Sequence, residues 1–69
     1  MFEYLDSDSL STEEKILYLI NDMKELRGAL GMLADEAESS ATVKCLDAAD
    51  KKVASAMKDL DAAVLEEKS

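Results

Sequence analysis

The sequence predicts an all-α fold, an antiparallel helical hairpin that dimerises into a four-helix bundle. Three observations carry that expectation. Apolar residues recur in alternating steps of three and four over two long stretches, and the phase of that recurrence slips once at a serine-containing connector. The chain, at 69 residues, is also too short to bury an adequate core by itself.

The elements follow in order. Residues 1–11 read as an N-terminal arm, MFEYLDSDSLS, which places Phe2 and Tyr4 ahead of any periodic segment. A helix start follows, with Ser11 as N-cap: its hydroxyl can accept from first-turn amides while Glu14, three residues on, reaches back. Glu13 and Glu14 also suit the positive end of the helix dipole. From there Ile16, Leu19, Met23, Leu26, Leu30, Leu33 and Ala37 form a heptad stripe with Leu17 and Ile20 beside it, so the first helix is expected over about residues 12–38. Gly28 and Gly31 fall at f and b, off the stripe. There they either let another surface approach or mark a bend, at about 1 kcal/mol each in helix stability.

Continuing the heptad from Ala37 would put an a position at Lys44, whereas the next apolar a position is Leu46. Two extra residues match no common coiled-coil insertion, so the chain is expected to break near residues 38–41, with Ser39 or Ser40 as the next N-cap. The second stripe is Leu46, Ala49, Val53, Ala56, Leu60 and Ala63, flanked by Met57 and Val64, giving a helix over about residues 41–66 and a tail at 67–69. Arms of similar length joined by a short polar connector describe an αα-hairpin of residues 12–66. Small alanines at d of the second helix are expected to face larger residues of the first.

One hairpin cannot cover the stripe and its flanks together. The dimer or hairpin seams are therefore assigned to Ile16, Leu19, Ile20, Met23, Leu26, Leu30, Leu33, Leu46, Val53, Met57 and Leu60. A staple other than a second copy is hard to find, because the single Cys45 has no intrachain mate and the chain has no His. An unpaired thiol suits a reducing cytoplasm, and the opening segment lacks the basic and apolar regions of a signal peptide. No apolar run approaches the ~18 residues of a membrane span.

Sixteen acidic and eight basic residues give a net charge of −8. Such a surface attracts basic protein surfaces and repels phosphate and anionic lipid, so neither a membrane nor direct nucleic-acid binding is expected. Lys24 and Arg27, with Lys51 and Lys52, are the best basic cluster, but acids interleave them and i to i+4 pairing accounts for them. With no His, one Cys and no phosphate-binding glycine loop, no catalytic constellation emerges. Asp47 with Asp50, and Asp59 with Asp61, match no calcium loop and read as a solvated acidic face. The expectation is no enzyme, no metal and no cofactor. Cys45, at g beside the seam, is expected as a packing residue.

The aromatic residues remain. Phe2, Tyr4 and Leu5, with Asp6 and Asp8 among them and Tyr18 at c of the first helix, are the candidate partner-binding residues, because aromatic anchors amid charge resemble interface hot spots. The competing reading folds the arm over the end of the bundle, with Phe2 plugging the core.

The hairpin, the heptads and the size are similar to the plasmid copy-number regulators that bind paired RNA loops, which would imply RNA binding; Asp22 and Glu25 beside Lys24 and Arg27 speak against it here. The MFEY arm, the acidic charge and the break at Ser39-Ser40 together resemble the small early proteins by which bacteriophages disable host regulators, in particular the quorum-sensing anti-activators active in Pseudomonas. That resemblance covers the whole chain and rests on size, charge and architecture. It implies a homodimer in the host cytoplasm that binds the DNA-binding region of a receptor-type transcriptional activator and prevents DNA binding. It further implies a second partner, the assembly ATPase of type IV pili, and it assigns no individual position.

Overall fold

A computed structural model describes residues 2–69. Met1, the first residue of the expected arm, lies outside the described residues. The order of elements is a 3₁₀ turn at Glu3–Asp6, α1 at Thr12–Glu36 and α2 at Ser40–Lys68, with no strand among the described residues. The chain is thus an all-helical hairpin.

At the start of α1 the capping box forms. Ser11 Oγ accepts from the Glu14 amide at 3.1 Å, and the Ser11 amide donates to Glu14 Oε1 at 2.9 Å. These hydrogen bonds at Ser11 hold the Glu14 carboxyl below its ordinary range. Ser11→Ala removes the acceptor for a first-turn amide and is expected to lower stability by about 1 kcal/mol, read as a smaller urea midpoint at unchanged slope.

α1 ends two residues before the expected boundary. Ala37 takes an extended conformation at φ −67° and ψ 132°, while its amide still bonds the Leu33 carbonyl at 3.0 Å. Ser39 is the N-cap of α2 by backbone, at φ −90° and ψ 130°, with no side-chain capping bond. The reversal therefore uses Ala37–Ser39. α2 runs on through the expected tail to Lys68, whose charge suits the negative helix end, and Ser69 closes it with Oγ donating to the Leu65 carbonyl at 3.1 Å.

The seam between α1 and α2 follows the a and e positions of the heptad instead of a and d. On α1 the partly or fully buried residues include Ile16, Ile20, Met23, Leu30 and Ala34; on α2 they include Val43, Leu46, Asp50, Val53, Met57, Leu60 and Val64. Ile20 and Met57, which flank the expected stripes and count among the assigned seam residues, belong to this seam, and so does Val64, expected only as a flank. Leu26 and Leu33, expected in the main stripe, are about half exposed. Two helices meeting along one line use about a third of each circumference, and the a/e stripe is centred there, so the d residues lie at its edge, where Leu19, Ala49, Ala56 and Ala63 are partly buried and Leu26 and Leu33 are not.

Only Ile20 and Val64, at 7% and 6% exposure, are buried apolar side chains among the described residues. The molecule measures 45 × 23 × 12 Å with a radius of gyration of 14.8 Å, against about 11 Å for a compact domain of this length. It is a plate one helix thick.

Candidate functional site

The arm folds back on the flank of α1 instead of over the end of the hairpin. Its 3₁₀ turn is closed by the Leu5 amide bonding the Phe2 carbonyl at 3.1 Å and the Ser7 amide bonding the Tyr4 carbonyl at 3.2 Å. The link to α1 is held by its own hydroxyls, since Ser7 Oγ and Ser9 Oγ lie 2.9 Å apart and Ser7 Oγ also accepts from the Ser9 amide at 3.3 Å.

Tyr4 anchors the arm. Its hydroxyl donates to Asp22 Oδ2 at 2.7 Å, and its ring stacks on Tyr18 with centroids 5.3 Å apart and planes at 27°. Phe2 meets Tyr4 edge-on at 6.2 Å and 64°. An offset stack and an edge contact are the two favoured aromatic geometries. On α1, Tyr18 and Asp22 are four residues apart and so share one side of the helix, which presents a ring and a carboxylate together.

Of the candidate residues, the structure brings Phe2, Tyr4 and Tyr18 into one cluster and places Leu5 and Asp6 on the same turn as Tyr4. Asp8 lies exposed in the link that follows. Phe2, Leu5 and Tyr18 remain about half exposed, so Phe2 does not plug the hairpin core; it borders a groove with Leu19, Met23, Leu26 and Ala29. Asp22 is the member of the cluster that sequence reasoning missed, since there it counts only as a neighbour of Lys24. Its i to i+4 relation to Tyr18 was the available signal.

Partial burial, reinforced by the hydrogen bond to Asp22 and its negative charge, pushes the Tyr4 phenol up to about 12. The folded chain thus holds this proton more tightly than the unfolded chain. The stabilisation it brings is complete below the ordinary tyrosine value of about 10 and is lost as pH rises through about 12. In a phenolate absorbance titration one hydroxyl is expected to ionise near 12, and Asp22→Ala should lower that midpoint part of the way, burial still holding it above the ordinary tyrosine value.

Away from the arm, Arg27 reaches across the hairpin to Asp50 with two parallel bonds, Nε to Oδ1 at 2.9 Å and Nη2 to Oδ2 at 3.1 Å. This corrects the expectation of a pairing within α1: Arg27 occupies an e position, and e faces the other helix. The guanidinium holds the Asp50 carboxyl below the usual carboxylate range. Lys51 does pair four residues back, with Asp47 at 3.3 Å, and Lys68 approaches Glu13 at 3.7 Å. Two members of the basic cluster are therefore engaged by acids.

Cys45, expected as a packing residue, is exposed because g points away from the a/e seam. Among the described residues no group of three or more His, Cys, Asp or Glu side chains could hold a metal ion, and no buried side-chain polar atom lacks a partner. Among the described residues, no helix is long and apolar enough to cross a membrane.

Fold and site together define a helical hairpin carrying an aromatic arm on one flank. No protein-family model, no curated protein and no solved structure matches the chain.

Proposed function

We propose that the chain acts as an acidic homodimeric inhibitor that docks on a basic surface of another protein and blocks it. One observation carries this reading: Phe2 and Tyr18, about half exposed, form an aromatic ridge around the partly buried Tyr4, with Asp6 on the same turn, Asp22 bonded to Tyr4 and Asp8 in the link that follows. Rigid rings give contact area at little cost in side-chain entropy, and surrounding carboxylates favour a cationic partner. The net charge of −8 acts over a longer range in the same direction.

The resemblance to phage anti-activators narrows the partner to the DNA-binding region of a quorum-sensing activator, with the type IV pilus assembly ATPase as a second target. A DNA-binding surface is basic by necessity, and a protein that covers it competes directly with DNA.

The test is capture of a purified quorum-sensing activator by the immobilised protein at low and at about physiological salt, where charges are screened beyond ~8 Å. Retention at both salts, with loss of operator binding in a gel shift, is the expected result. Phe2→Ala/Tyr4→Ala should weaken capture at least about tenfold while leaving the dimer intact. Recovery of nucleic acid alone from a host lysate would sink the inhibitor reading.

A further inference from the structure

We propose that the second copy of the chain docks on the face made by Leu19, Leu26 and Leu33 of α1 with Ala49, Ala56 and Ala63 of α2, each α1 lying antiparallel over the other copy's α2. The inference rests on the dimeric reading above and specifies which surface makes the dimer.

Area is the first argument. A compact monomer of 7.5 kDa exposes about 4,250 Å², whereas this chain exposes 5150 Å². The excess of roughly 900 Å² is close to the ~800 Å² that each partner contributes to a stable protein interface.

Geometry selects the face. In both helices d lies next to a on the heptad wheel, and because the helices are antiparallel the two d rows emerge on the same side of the plate. That side carries three leucines on one helix and three alanines on the other. The opposite side, at b, carries one leucine and one alanine, Leu17 and Ala54, among Lys24, Gly31, Asp47 and Asp61, and is the more polar of the two.

The face is also its own complement. Arg27 and Asp50 mark one level of the hairpin, so Leu26 is level with the space between Ala49 and Ala56, and Leu19 with that between Ala56 and Ala63. A two-fold axis parallel to the helices preserves these levels while exchanging α1 for α2. Leu19 and Leu26 then each enter a hole between two alanines of the other copy, while Leu33, level with Lys44, lies beyond Ala49. Phe2 lines a groove with Leu19 and Leu26, together with Asp22 and Glu25, and so borders this face on the side of the arm.

Sedimentation equilibrium of the full chain at tens of micromolar is expected to give twice the 7.5 kDa chain mass. Leu26→Asp/Leu33→Asp should weaken association by at least ~100-fold, because each carboxylate would be buried unpaired, while Leu17→Asp and Leu65→Asp on other surfaces should not. A second measurement does not depend on a folded monomer. In a Cys45→Ser background, chains carrying Leu26→Cys are mixed with chains carrying Ala49→Cys and oxidised, and the mixed disulfide should exceed either self-linked product. Dominant self-linking of the Leu26→Cys chain would overturn the stacking of α1 on α2. A wild-type dimer that survives Leu26→Asp/Leu33→Asp would overturn the face while leaving the dimer standing. A wild-type chain that sediments at its single mass would overturn the dimer itself.

Discussion

Ile20→Ala is expected to cost about 2–4 kcal/mol and to leave the chain largely unfolded at moderate temperature. The size of the effect follows from how little else is buried: Ile20 and Val64 are the only buried apolar side chains among the described residues. A domain of this length has a total stability of roughly 3–10 kcal/mol, so removing three carbons from one of two such positions takes a large fraction of it. Val64→Ala removes two carbons and should cost about 2 kcal/mol. Urea denaturation followed by helical circular dichroism measures both. A loss below about 0.5 kcal/mol for Ile20→Ala, the range of ordinary surface changes, would mean that the a/e seam is misassigned.

Gly28→Ala/Gly31→Ala should act in the other direction, raising stability by about 1 kcal/mol per site and the melting temperature by roughly 4–8 °C for each. Neither glycine has a positive φ, and a Cβ built at either position meets nothing within 4 Å. Alanine therefore lowers the entropy of the unfolded chain without straining the folded one. The glycines do not serve a close approach within the hairpin, nor do they break α1, which runs unbroken from Thr12 to Glu36. A fall in melting temperature would show that something packs on Gly28 and Gly31 in solution.

Some of this was legible in the residues. Ser11 and Glu14 announce the start of α1 because a capping box is local, needing only the right side chains three positions apart. The phase slip between Ala37 and Leu46 likewise announces the reversal, since two added residues rotate a helix face out of line. The end of α1 was not legible: Glu36, Ala37 and Glu38 carry no glycine or proline, and the helix stops where the chain must turn back. The choice between a/d and a/e was also hidden, because Leu26 and Ile20 are equally apolar and only the partner helix decides which one it covers. The bond from Tyr4 to Asp22 spans eighteen residues, and no periodicity reaches across the irregular link between them. Arg27 illustrates the same gap. Acids near it in sequence invite a local pairing, but its helix position aims it at Asp50 on the other arm.

The thinness of the plate has a kinetic expression. With an extent of 12 Å across its narrowest axis, the hairpin leaves no helical amide more than one side chain from water. The strongest protection against hydrogen–deuterium exchange is therefore expected around Ile20 and Val64, and for the proposed dimer it should scale with protein concentration, as it does when the slowest opening passes through dissociation. Amides near Ser39, where α2 begins without a side-chain cap, should exchange at a rate that concentration leaves unchanged.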